Sequence, residues 1–183
     1  KVNNRAALDF ERVSASAGSF LQITDFNDLL NLNSLSSSVV FKADTLVDGA
    51  WVLTLGTDSN NKRWYAPYFE GSSPCQIKFR YANYSPIFVT ANTNHNIATS
   101  VAGSTINGFQ GYLNGAAVDT GTLDDDVNNS SSTQEPLIGA LKLTDLKPFD
   151  GKIQEVIIYD SDQTNSRTAI IADQGTYYGI TTT

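Results

Sequence analysis

Cysteine and histidine each occur once, as Cys75 and His95, and methionine is absent. One cysteine cannot close an internal disulfide, and a single Cys/His pair cannot complete a zinc site, so neither staple can hold this chain together. Positive charge is also scarce, with 12 Lys and Arg against 19 Asp and Glu for a net charge of −7. Such a chain lacks the broad basic surface that a phosphate backbone requires, which argues against nucleic acid as a partner. The longest apolar runs, such as Val156 to Tyr159, fall far short of the roughly 20 residues of a spanning helix, so no membrane insertion is expected. The first residue is Lys. The chain therefore reads as processed or as a segment of something longer, and the lack of a leader carries no information about compartment.

Ser, Thr and Asn are plentiful, 18, 18 and 16 residues. Asp outnumbers Glu by 15 to 4, and Asp favours turns and caps where Glu favours helix interiors. A length of 183 residues suits one domain. Short apolar stretches recur between turn-forming clusters: Ala6–Glu11, Phe20–Ile23, Ser37–Ala43, Trp51–Gly56, Arg63–Phe69, Gln76–Tyr81, Ile87–Ala91, Asn96–Ala102, Phe109–Leu113, Leu137–Leu141 and Lys152–Tyr159. Some alternate as half-buried strands do, whereas Ile153–Tyr159 is apolar on both sides, as a strand covered on both faces would be. Two packed antiparallel sheets follow from that mixture. Asn114-Gly115 is the best hairpin turn, because a type I′ turn needs positive φ at both central residues. Asp124 to Thr133 reads as an exposed loop, the triplet Asp124-Asp125-Asp126 included. A helix is predicted over Asn165–Gln174, stopped by Gly175 and packing Ile170 or Ile171 on the sandwich. The expected core contains Leu8, Phe10, Val40, Leu53, Ile77, Phe79, Ile97, Leu113, Ile153 and Ile157.

Sugar recognition sets aromatic faces against pyranose rings and polar groups against hydroxyls. One segment has that composition: Trp64, Tyr65, Tyr68, Phe69, Arg80, Tyr81 and Tyr84, with Asn60, Asn61, Lys62 and Asn83 nearby. Alternation places Trp64 and Tyr68 on one face of their strand, opposite Tyr65 and Phe69. These aromatics form either a sandwich core or, on the face of Trp64, Tyr68, Arg80 and Tyr84, a ligand platform. His95 and Cys75 read as a backbone-bonded histidine and a buried thiol.

In the final third, Pro148-Phe149-Asp150-Gly151-Lys152-Ile153-Gln154-Glu155-Val156-Ile157-Ile158-Tyr159-Asp160 resembles the closing strand of laminin-G-like domains, the concanavalin A-like lectin/glucanase jelly roll. Arg167 through Ile170 to Tyr177-Tyr178-Gly179-Ile180 is similar to the short helix and ending of bacterial and phage members. His95-Asn96-Ile97-Ala98 with Gly111-Tyr112-Leu113-Asn114-Gly115 resembles the family's hairpin, and Ala6-Ala7-Leu8-Asp9-Phe10 its first strand. The resemblance implies an all-β, two-sheet antiparallel jelly-roll sandwich with a short C-terminal helix, residues 1–183 forming one domain of a longer protein. Glucanases of this fold carry a Glu-x-Asp-x-Glu strand that holds two carboxylates about 5 to 5.5 Å apart. This chain has none, and Asp9 with Glu11 is its closest Asp–Glu pair, so an enzyme is not expected. By analogy with jelly-roll lectins a structural calcium is implied where first and last strands meet, with Asp9, Glu11 and Asp160 as ligands. The implied function is a non-catalytic glycan-binding or adhesion module on a virion, a cell surface or outside the cell. The other reading is a structural spacer or decoration domain of such an assembly, binding its proteins and no small ligand.

Overall fold

The computed structural model describes residues 5–24, 35–54, 67–71, 75–78, 87–88, 96–102, 110–119, 136–141 and 145–183. They hold fourteen strands and one helix. The strands are β1 (Leu8–Phe10), β2 (Arg12–Ser14), β3 (Ala17–Gly18), β4 (Leu21–Gln22), β5 (Leu35–Ala43), β6 (Leu53–Thr54), β7 (Tyr68–Glu70), β8 (Gln76–Lys78), β9 (Ile87–Phe88), β10 (Asn96–Ala102), β11 (Gln110–Leu113), β12 (Ala116–Asp119), β13 (Leu137–Ile138) and β14 (Gly151–Tyr159), followed by α1 (Arg167–Tyr178).

A six-stranded antiparallel sheet runs β1-β14-β5-β10-β11-β12. Opposite it lie two three-stranded pieces, β4-β13-β6 and β7-β8-β9. Backbone bonds from Val52 N–H to Pro67 O, Phe69 N–H to Ala50 O and Gly49 N–H to Phe69 O join these pieces, giving a second layer. Between the layers Phe149 meets Phe41 at 6.1 Å, Phe69 at 6.0 Å and Phe10 at 6.5 Å between ring centroids. Offset and edge contacts of this kind add to the burial of large rings.

β14 shows why the closing motif has its sequence. Phe149 anchors the core, and Asp150 Oδ1 accepts from Arg12 N–H at 3.3 Å while Oδ2 accepts from the Thr45 hydroxyl. At Gly151 (φ 149°) a Cβ would lie 2.2 Å from the Lys42 carbonyl oxygen on β5, so no side chain fits. A bulge between Ile153 and Glu155 then resets the alternation. Ile153 and, after the bulge, Val156 and Ile158 face the inter-layer core, while Glu155 reaches Gln174 of α1. The strand is covered on both faces, as its sequence predicts.

α1 packs on the outer face of the six-stranded sheet, where Val40, Ile97, Tyr112, Ile171 and Tyr178 form a second cluster. The helix differs from the expectation at its end. Gly175 lies inside it, because the returning tail crosses there and a Cβ would come within 2.7 Å of Thr182 Cγ2. The stop is Gly179, left-handed at φ 68°, with Ile180 N–H donating to Gly175 O at 2.8 Å. Asn114 (φ 52°) and Gly115 (φ 92°) make the turn between β11 and β12.

Of the expected core, Phe10, Val40, Leu53, Ile77, Ile97, Leu113 and Ile153 are buried, and Phe79 lies outside the described residues. Two expectations need correction. Leu8 is 55% exposed, at the edge strand beside an open depression of about 350 Å³ whose walls include Ala6, Ile138 and Val156. Ile157 is half-buried, its register placing it opposite Ser38 on the helix side. Strands β2 and β3 fall outside the expected stretches, since such short segments carry no apolar alternation, whereas β12 completes the hairpin expected at Asn114-Gly115.

Candidate functional site

Within the aromatic segment, Tyr68 and Phe69 are described, whereas Trp64, Tyr65, Arg80, Tyr81 and Tyr84 lie outside the described residues. Successive side chains on β7 leave on opposite faces, and here both are buried. Phe69 enters the main core, its ring 6.0 Å from that of Phe41. Tyr68, only 5% exposed, stacks on Trp51 with centroids 4.5 Å and planes 11° apart, and Leu141 completes a third apolar cluster. Its ring face toward Trp51 is thus filled by an indole. Trp51 is 17 positions upstream, and the antiparallel bridge between Trp51 and Tyr68 brings the two together.

First and last strands do meet, as β1 against β14, but the register decides which side chains share a site. Asp9 stands opposite Lys152. The Lys152 ammonium lies 2.8 Å from Asp44 Oδ2 and 3.4 Å from Asp9 Oδ1. Its pKa is raised, first by the hydrogen bond to Asp44, with burial opposing and the charges of Asp44 and Asp9 assisting. Asp160 follows the far end of β14, eight residues from Lys152 and so on the order of 25 Å away along the strand. Glu11 is exposed. The three expected calcium ligands are therefore not gathered, and the position beside Asp9 already holds a cationic side chain. Among the described residues no group of three His, Cys, Asp or Glu side chains converges on one point. Asp124 to Asp126 and His95 lie outside the described residues.

Cys75 is buried against Ile77 and the core. Burial pushes its thiol up to about 11, with the Asp48 charge adding to the shift and a backbone contact to Gln76 opposing it. At neutral pH the nucleophilic thiolate is suppressed.

An arrangement absent from the sequence reading lies at the C-terminal end of α1. Tyr177 is the one exposed aromatic side chain among the described residues, at 53%. The Arg5 guanidinium carbon sits 4.1 Å from its ring centroid, and Tyr178, anchored in the helix–sheet cluster, meets the ring edge-on at 4.9 Å. The ion pairs among the described residues belong to Lys147 and Lys152, so Arg5 has no carboxylate partner there. Below this corner, Gln174 accepts from Ser38 Oγ at 2.6 Å and donates to Glu155 Oε2 at 2.7 Å, fixing the helix on the sheet. Arg5 and Tyr177 stand at opposite ends of the chain. No local motif could have flagged them.

Known structures share this architecture. The CBM40 module of the Ruminococcus gnavus IT-sialidase, solved with α2,3-sialyllactose, superposes with a TM-score of 0.65 at 14% identity, covering 96% of this chain and 100% of that one. Domain 4 of a GH43 extracellular arabinanase from Geobacillus stearothermophilus, solved with arabinotriose, gives 0.58 at 20% identity over 78% of this chain and 68% of that one. The Trypanosoma rangeli sialidase in complex with sialic acid gives 0.62 at 13% identity, covering 92% of this chain and 29% of that enzyme. No curated protein matches. At these identities the superpositions establish the fold, a concanavalin A-like jelly roll. The Laminin_G_3 family model matches residues 15–168, and on that match the chain belongs to the concanavalin A-like lectin/glucanases superfamily.

Proposed function

We propose that this chain is a non-catalytic glycan-binding module that acts outside the cell, on a cell surface or on a virion. The observation that carries the reading is the extent of the likeness: nearly the whole chain corresponds to the whole of a carbohydrate-binding module solved with a bound sugar, and to a much smaller share of a complete sialidase. The likeness is that of a binding unit standing alone. Four of the described carboxylates fit the same reading: Asp9 and Asp44 are held by Lys152, Asp150 by Arg12 N–H and Thr45, and Glu155 by Gln174. A retaining or inverting hydrolase instead needs two carboxyl groups facing one glycosidic bond.

A glycan array followed by titration calorimetry on the full chain tests the proposal. Saturable binding to at least one glycan, without release of reducing ends on prolonged incubation, is the expected result. Absence of binding across the array would favour the spacer or decoration reading, and product release would make the chain an enzyme.

A further inference from the structure

We infer that Arg5 and Tyr177 form a site that reads an anionic group, a carboxylate or a sulfate, carried on a glycan. The inference rests on the glycan-binding reading and names both a ligand chemistry and a place. Two observations coincide at this corner: the exposed aromatic of the described residues, and a guanidinium over its ring with no acidic partner among the described residues. In a chain of net charge −7, acidic side chains outnumber basic ones. Lys147 and Lys152 are spent on aspartates, and Arg12 donates to the Pro148 carbonyl at 2.9 Å. Arg167 also lies over a ring, that of Tyr112, but Tyr112 is buried and Arg167 donates to the Thr164 carbonyl, whereas the ring beneath Arg5 is exposed.

The geometry matters more than the charge. A guanidinium over a ring contacts it without using up its N–H donors, and the planar fork of those donors matches the two oxygens of a carboxylate or sulfate. Stacking also removes much of the rotamer freedom that a loose arginine would lose on binding. Tyr177 is itself held in place, because Tyr178 packs against its edge and is buried among Ile171, Val40 and Ile97. The exposed part of the phenol offers an apolar edge and a hydroxyl to the sugar that carries the anion. Glu155 is the carboxylate whose charge reaches Tyr178, and its Oε2 is occupied by Gln174 Nε2.

The test uses the full chain against immobilised polygalacturonate (carboxylate), heparin (carboxylate and sulfate), dextran sulfate (sulfate) and neutral dextran at physiological salt. Binding to at least one acidic polymer, and not to dextran, is expected, and the carboxylate-only and sulfate-only arms tell which oxyanion is read. Arg5→Gln should weaken that binding about tenfold or more and leave the melting temperature unchanged. Tyr177→Ala should do the same by releasing the guanidinium, whereas Tyr177→Phe, which keeps the ring, should retain most of the affinity. Wild-type affinity in Arg5→Gln, or no preference for acidic over neutral polymer, would overturn the inference. A chain that binds neutral glycans on the array but no acidic polymer would lose this inference and keep the proposed function, whereas a chain that binds no glycan would lose both.

Discussion

On its inner face the six-stranded sheet presents Val39, Phe41, Ala98 and Ile153 to the second layer and to the rings of Phe69 and Phe149; on its outer face it meets α1 through Val40, Ile97 and Tyr112, and also through Ser38 and Thr99. The inner face is dry and rich in phenylalanine. The outer one mixes apolar contacts with a buried chain of hydrogen bonds in which Ser38, Thr99, Gln174 and Glu155 are linked at 2.6 to 2.8 Å. Apolar burial is non-directional and supplies most of the driving force. A buried polar network adds little net energy but penalises every wrong seating of the helix, since each misplaced group would be left unsatisfied. The inner face thus makes the domain stable, and the outer face fixes where α1 sits and hence where Tyr177 is presented.

Substitutions can break that comparison. Phe149→Ala removes the ring shared by Phe10, Phe41 and Phe69 and should cost about 3–5 kcal/mol, seen as a large fall in the urea midpoint with loss of cooperativity. Ile171→Ala, on the outer face, should cost about 2–3 kcal/mol, near the low end of the range for such truncations. Its signature should be local, with faster amide exchange in α1 than in β5. Equal exchange in both would show that helix and sandwich unfold as one unit.

Titration provides a third test. Burial raises the Cys75 thiol in the folded state to about 11, from an ordinary thiol value of 9.0. The stability this represents is fully present below about pH 9 and is lost as pH rises toward 11, amounting to about 2–3 kcal/mol at most. Cys75→Ala should flatten that part of the stability profile, and the wild-type thiol should resist alkylation at pH 7.5 until the chain is unfolded. Gln174→Leu strips partners from Ser38 and Glu155 and should cost about 1–3 kcal/mol. Under the same substitution acidic-polymer binding should weaken, because the corner bearing Tyr177 loses its seat. Lys152→Met leaves two partly exposed aspartates without their cation and should cost under about 1 kcal/mol. A larger loss would mean that the edge of β1 depends on that bridge.

The aromatic segment shows where sequence reading stops. Alternation assigns Tyr68 and Phe69 to opposite faces of one strand, and it does so correctly, but whether a face is covered depends on what the chain brings up from elsewhere. Trp51 reaches Tyr68 through a bridge between positions 17 apart, and no periodicity within either segment announces it. Asp9 lies on β1 and Asp160 follows β14, and the two strands do pair, yet a register with Asp9 opposite Lys152 puts the two acids at opposite ends of β14.

Composition, turn chemistry and apolar spacing were enough to determine an all-β sandwich with a C-terminal helix, the hairpin at Asn114-Gly115 and seven of the ten expected core residues. These are local properties, fixed by φ preferences and by the two-residue period of a strand. The closing strand was legible for the same reason, since being apolar on both sides of the alternation demands cover on both faces. Register, the bulge before Glu155 and the meeting of Arg5 with Tyr177 were decided only by tertiary structure. Each depends on residues far apart in the chain arriving at one place, and it is packing between layers that selects which of them do.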